Sequence, residues 1–138
     1  MRQSVRFFLS DRLIELSSLD SNMTLLDFLR EEQRRCGTKE GCAEGDCGAC
    51  TVVLVECNDG QLSCKAVNSC IVFIASLDGK QVLTVEDLKS SDGVLHPVQQ
   101  AMVDLHGSQC GFCTPGFIMS LFALYYTCLL YTSPSPRD

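Results

Sequence analysis

The sequence predicts an α+β protein, a strand-rich N-terminal half with one helix followed by a helical segment. Three observations carry that reading. Short runs rich in β-branched and aromatic residues (SVRFFL, RLIEL, TVVLVE, QLSCKAV and QVLTV) are separated by turn signals in the first part of the chain. From Pro97 onward, apolar residues recur at helical spacing instead. Each half carries its own cysteine motif.

The chain opens on a β-hairpin, with SVRFFL and RLIEL flanking Ser10-Asp11 as a polar two-residue turn. SNMTLLDFLREEQRR reads as a helix capped by Thr24, with Asp27 three residues on in a variant of the capping box. Leu25, Leu26, Phe28 and Leu29 give that helix one apolar face. A cysteine-rich loop follows, from about Cys36 to Cys50. TVVLVE is a strand, Asn58-Asp59-Gly60 a turn, and QLSCKAV the returning strand. QVLTVEDL gives one more strand and leads into a helical start at Val85 to Leu88. A domain boundary is placed near Asp87 to Gly93, dividing residues 1–86 from 87–127. Pro97 suits a first helical turn, with Val98, Ala101, Met102 and Leu105 sharing a face. Pro115 opens the next helix, with Phe117, Ile118, Leu121, Phe122 and Tyr125 as the expected apolar stripe.

With 138 residues, the chain is long enough for one ordinary domain or two small ones. A net charge of −6 does not attract phosphate backbones, so nucleic acid is not an expected partner. Ten cysteines leave two broad options, a disulfide framework or metal ligation. MRQSVRFFLSDRLIEL has no apolar signal core and no small-residue cleavage site. A cytoplasmic setting is therefore expected, where thiols stay reduced and clustered cysteines bind metal. The longest apolar run, Phe117 to Tyr131, is shorter than the roughly 20 residues that span a bilayer, so no membrane segment is expected.

Cys42, Cys47 and Cys50 stand as C-x4-C-x2-C, the spacing of plant-type [2Fe–2S] ligation with a distant fourth cysteine. Zinc sites more often use paired C-x2-C knuckles. Sulfides and thiolates carry negative charge and need hydrogen-bond donors. Gly41, Gly45 and Gly48 let backbone N–H groups wrap close enough to supply them. The candidates for the fourth ligand are Cys36, Cys57, Cys64 and Cys70. Cys57 lies roughly 20 Å along the outgoing strand. A hairpin centred near Gly60 brings position 70 opposite position 50, which makes Cys70 the geometric choice. Cys57 and Cys64 read as small buried residues, in preference to a pair facing each other across the hairpin, and Cys36 as a non-ligand.

HGSQCGFCTPGF places Cys110 and Cys113 as C-x2-C just before a helix, a redox pair or half of a metal site. No nucleophile–base pair and no dinucleotide-binding glycine fingerprint is present. His96 and His106 read as caps or surface residues.

GTKEGCAEGDCGACTVVL, DGKQVLTVEDL and HPVQQAMVDLHGSQCGFCTPGFIMS together resemble the iron–sulfur region of the molybdenum hydroxylases. Within that family they are most similar to the small subunit of the bacterial xanthine dehydrogenase type, over roughly residues 4 to 126. The resemblance implies a β-grasp, ferredoxin-like [2Fe–2S] domain followed by a helical-bundle [2Fe–2S] domain that is truncated here. It implies that Cys42, Cys47, Cys50 and Cys70 hold the first cluster and that Cys110 and Cys113 supply half of the second. A C-x-C pair that completes the second cluster in the family would fall beyond residue 138, and Cys128 stands alone and too early. Gln109 corresponds to a glutamine beside the molybdopterin of the large subunit. FAD is expected on a domain downstream or on a separate subunit. The implied role is an electron relay from the molybdopterin site to FAD and NAD during purine hydroxylation. The rival readings are a molybdenum hydroxylase for aldehydes, carbon monoxide or N-heterocycles, a stand-alone ferredoxin, and a structural zinc module. The tail CLLYTSPSPRD departs from the family pattern, and residues 128–138 are expected to be non-native. Loss of covering helices predicts exposed apolar surface on the helical part.

Overall fold

The computed structural model describes residues 4–130. Strands β1 (Val5–Leu9) and β2 (Arg12–Leu16) form the opening hairpin, with Leu9 paired to Arg12. Ser10 adopts a left-handed φ of 57° to close this two-residue turn. The first helix, α1 (Leu25–Asp27), starts where the Thr24 hydroxyl accepts the Asp27 N–H at 3.2 Å. It is shorter than the sequence pattern suggests. It widens at once into a π-helical turn, Phe28–Glu32, closed by Gln33 N–H donating to the Phe28 carbonyl. Arg34, at φ 56°, then turns the chain out of the helix.

Strands β3 (Thr51–Asn58) and β4 (Gln61–Asn68) make the second hairpin around Asp59 and Gly60, both at positive φ. The last strand, β5 (Gln81–Leu83), lies between the hairpins, parallel to β1 and antiparallel to β3. The sheet order β2-β1-β5-β3-β4 is that of a β-grasp. One face of the sheet buries Phe7, Leu9, Val52, Leu54 and Val82 against Leu25, Phe28 and Leu29 of the first helix. Alternation along β3 turns Val53 and Val55 to the other face.

That second face is covered by the C-terminal part. Helix α2 (Pro97–Asp104) and helix α3 (Thr114–Leu130) follow the capped turn at Val85–Asp87. Ile118, Met119, Phe122 and Ala123 of α3 share a core with Val53 and Leu88. The buried stripe of α3 therefore differs from the expected one. Phe117 (62% exposed), Leu121 and Tyr125 face away from the sheet, because the helix is apolar on both sides and the sheet takes only one. The exposed side borders an open groove of about 970 Å³ lined by α2, α3 and the loop between them. The expected exposed apolar surface is present there. The expectation about residues 128–138 falls, from Tyr131 on, outside the described residues.

Two further expectations are corrected. Cys57 is exposed and pairs with Leu62, while half-buried Cys64 pairs with Val55, so neither faces the other and only Cys64 touches a core. The hairpin register sets Thr51 opposite Asn68, so Ser69, one residue before Cys70, bonds Cys50.

His96 caps α2 as expected. Its Nδ1 accepts the Val98 N–H at 3.2 Å, and its backbone N–H donates to Gln99 Oε1 at 3.1 Å. The ring packs among Phe122, Tyr125 and Tyr126, with Nε2 3.3 Å from the Tyr126 hydroxyl. Burial pushes its pKa below the ordinary 6.5. A protonated Nδ1 cannot accept a hydrogen bond, so the folded state favours the neutral ring. The cap is fully in place above the ordinary pKa and is lost as pH falls through the lower folded value. Stability is expected to drop by about 1 kcal/mol between neutral and mildly acidic pH. His96→Asn, which keeps a cap acceptor, removes that part of the pH dependence. Denaturant midpoints across the pH range check this, and identical profiles for the two proteins would refute it.

Candidate metal centre

The loop of residues 41–50 has no regular structure and is shaped by its own backbone. Three N–H groups, from Glu44, Asp46 and Cys47, donate to Cys42 Sγ at 3.4, 3.2 and 3.3 Å. The N–H groups of Cys42 and Ala49 donate to Cys47 Sγ, each at 3.4 Å. Successive amides therefore point inward at sulfur, forming a nest for negative charge. These donors, the Cys47 amide first, lower the Cys42 thiol to about 7 from its ordinary 9.0.

Gly45 and Gly48 hold φ values of 78° and 75°, which L side chains rarely adopt. At Gly41 the need is space: a Cβ there would stand 2.7 Å from Cys47 Sγ.

The fourth cysteine arrives from β4. Asn68 Nδ2 donates to the Gly45 carbonyl at 2.8 Å, and buried Ser69 Oγ donates to the Cys50 carbonyl at 2.7 Å. These two bonds fasten the end of the strand to the loop, and the 3₁₀ turn Ser69–Ile71 presents Cys70. Cys70 is buried beside Cys50 and Leu26. Desolvation first, and then its hydrogen bond with Cys50, push its thiol up to about 11. It also senses the charge of Cys42 and receives the Gly45 amide. Cys42, Cys47, Cys50 and Cys70 are thus brought to one place.

Among the described residues, no three His, Cys, Asp or Glu side chains converge closely enough to hold a single metal ion. The inward amides around Cys42 and Cys47 suit the negative charge that a [2Fe–2S] cluster's sulfurs would carry, and Cys42, Cys47, Cys50 and Cys70 are the residues that would hold it. Cys36 is exposed. Its carbonyl accepts from Arg30 and Lys39, which fix the chain entering the loop. Arg35 pairs with buried Asp87 at 2.6 Å, tying that entry to the turn after β5.

Cys110 and Cys113 are exposed, on either side of Gly111 at φ 86°. Cys113 lies directly before α3, its carbonyl accepting the Phe117 N–H. Gln109 is exposed in the same loop and lines the groove. The two thiols stand three residues apart in that loop, both open to solvent. Sequence reasoning missed Asn68, Ser69 and Gly116. The first two adjoin a candidate ligand. Gly116 lies in the CTPG stretch, where only Cys113 and Pro115 were singled out.

Fold and thiol placement together define a two-domain [2Fe–2S] protein. Residues 8–75 match the 2Fe-2S iron-sulfur cluster binding domain, and residues 84–136 match the [2Fe-2S] binding domain. The chain belongs to the iron–sulfur family of the molybdenum hydroxylases. It is 46% identical over 134 residues to xanthine dehydrogenase of Drosophila pseudoobscura pseudoobscura, covering 96% of this chain and 10% of that one. Among solved structures it resembles aldehyde oxidoreductase of Desulfovibrio desulfuricans, with a TM-score of 0.77 at 35% identity, covering 99% of this chain and 14% of the other. It also resembles quinoline 2-oxidoreductase of Pseudomonas putida, with a TM-score of 0.74 at 28% identity, covering 96% of this chain and 74% of that one. The chain therefore spans about a tenth of the xanthine dehydrogenase it matches. Among the described residues, no helix is long and apolar enough to cross a membrane.

Proposed function

We propose that this chain is the electron-relay portion of a xanthine dehydrogenase-type molybdenum hydroxylase, acting in the cytoplasm during purine hydroxylation. The observation that carries the reading is the amide-lined loop that gathers Cys42, Cys47, Cys50 and Cys70, with the first turn of α3, just after the Cys110–Cys113 motif, resting on it at Gly48. A [2Fe–2S] cluster supplies one-electron transfer with little rearrangement. In this reading those four cysteines hold the first cluster, and residues 1–86 form its domain. Cys110 and Cys113 hold one side of the second, within residues 87–127. The inward amides of residues 42–49 stabilise negative charge on sulfur, and Leu26 keeps water from Cys50 and Cys70. Gln109 faces the molybdopterin of a large subunit or domain. Electrons then leave through the first cluster to FAD and NAD elsewhere in the enzyme. The small share of the relative that this chain spans supports placing those groups outside it.

The similarity to aldehyde and quinoline oxidoreductases favours one second reading, a relay serving aldehyde or N-heterocycle oxidation. The test is iron, acid-labile sulfide and zinc analysis of the full-length protein, purified without oxygen, with EPR after reduction by xanthine or by an aldehyde. About two irons and two sulfides per cluster, reduced by xanthine, are expected. Reduction by the aldehyde alone selects the second reading. Zinc without sulfide overturns both.

A further inference from the structure

We propose that the cross-strand pair Thr51 and Asn68 positions and strengthens the amides that bond the cysteine sulfurs, Asn68 acting on Cys42 and Thr51 on Cys47, each through one peptide unit. The proposal rests on the reading of the cysteine loop as a [2Fe–2S] site.

Two of the peptide units that donate to sulfur are held at both ends. The Asp46 N–H donates to Cys42 Sγ at 3.2 Å, and the carbonyl of the same unit, that of Gly45, accepts Asn68 Nδ2 at 2.8 Å. The Ala49 N–H donates to Cys47 Sγ at 3.4 Å. The carbonyl of that unit, belonging to Gly48, accepts Thr51 twice, from its hydroxyl at 2.7 Å and its N–H at 3.1 Å. A peptide unit is planar and conjugated, so a donor on its oxygen draws charge from the nitrogen and makes the N–H a better donor. The same bond fixes the plane of the unit and so the direction in which its N–H points. Asn68 and Thr51 thereby act on sulfurs that they do not touch.

The path to Cys47 extends one unit further back. The Thr51 N–H shares its peptide unit with the Cys50 carbonyl, which accepts the Ser69 hydroxyl at 2.7 Å and the Ser69 N–H at 3.3 Å. Each bond in that series aligns and polarises the next.

The hairpin explains how two side chains reach two sulfurs. Thr51 opens β3, Asn68 closes β4, and the two are register partners. One rung of the sheet therefore serves both Cys42 and Cys47. The loop has no regular structure of its own, so the paired strand ends supply the fixed frame. Thr51 is 6% exposed, which keeps water from competing for its hydroxyl bond.

The sign of the effect follows from charge. Hydrogen bonds donated to sulfur favour added negative charge, so they raise the reduction potential of a group held by those thiolates. Removing a donor from the far end of the peptide unit weakens the amide–sulfur bond and lowers that potential.

The test uses the full-length protein, purified without oxygen, as wild type, Asn68→Leu, Thr51→Val, Thr51→Ser and Gln81→Leu. Gln81 is the control, because its amide donates at 2.7 Å to the Ser10 carbonyl, whose peptide unit lies outside the cysteine loop. Iron and sulfide content, the unfolding midpoint, and the midpoint potential of the EPR signal that Cys70→Ser removes are read on each. Asn68→Leu and Thr51→Val are expected to keep iron and sulfide while the potential shifts downward. Thr51→Ser, which retains the hydroxyl, and Gln81→Leu should keep the wild-type potential. An unchanged potential in Asn68→Leu or Thr51→Val overturns the path it tests, even where the unfolding midpoint falls, because those bonds would then only hold the loop. A shift in Thr51→Ser or Gln81→Leu as large as in Thr51→Val also overturns the proposal. If Asn68→Leu does not assemble, the near-isosteric Thr51→Val against Thr51→Ser decides it. Wild-type protein that holds zinc and no sulfide defeats the [2Fe–2S] reading itself, an outcome distinct from a normal cluster with an unaltered potential.

Discussion

Replacing Cys70 by serine is expected to abolish the first iron–sulfur site, removing about two irons and two labile sulfides per chain together with that cluster's EPR signal. The thiol is buried next to Cys50, at the end of a strand fastened to the cysteine loop by Asn68 and Ser69. Its proton is held tightly, up to about 11, so the free thiol stays neutral there. Metal binding has to displace that proton, and a soft thiolate gains far more from iron than a serine hydroxyl does. Cys57→Ser and Cys64→Ser are the controls. Cys57 is exposed toward the far end of the hairpin, and Cys64 packs on the opposite face of the sheet. Both should retain full iron. A Cys70→Ser protein with its complete iron and sulfide would show that another residue is the fourth ligand.

Leu26→Ala is expected to lower stability by about 2–5 kcal/mol. Leu26 is 1% exposed and is the apolar residue packed directly on Cys50 and Cys70. Truncation removes its burial and leaves a cavity behind the site, because the flanking Leu25 and Phe28 are committed to the sheet core. The same cavity opens a path for water toward two thiolates, so the reduction potential should move as well. Leu105→Ala, on an exposed position at the end of α2, should stay within about 0.5 kcal/mol of wild type. Denaturant midpoints, with and without the cluster, and a redox titration measure both effects. A Leu26→Ala protein with unchanged midpoint and potential would show that this side chain neither supports nor seals the site.

Much of this was legible before any coordinates. The Ser10-Asp11 and Asp59-Gly60 turns follow from local chemistry, as do the caps at Thr24 and His96, since each depends on residues within a few positions. The cysteine loop was legible for the same reason. Its spacing and glycines are contiguous, and its sulfurs are bonded by its own amides. Cys70 could be chosen because a hairpin converts sequence distance into spatial return, although the true register places Ser69 opposite Cys50.

The sequence by itself therefore determined the α+β class, the two turns and the amide-lined nest around Cys42 and Cys47, because each is set by neighbours along the chain. It could not divide the apolar surface of α3. Periodicity identifies an apolar face but not its partner, and in α3 both sides are apolar. Only the tertiary structure decided that Ile118, Met119 and Phe122 cover the second face of the sheet while Phe117 and Leu121 line an open groove. It also decided that Gly116 rests on Gly48, a contact between segments 68 residues apart whose only local mark is a missing side chain.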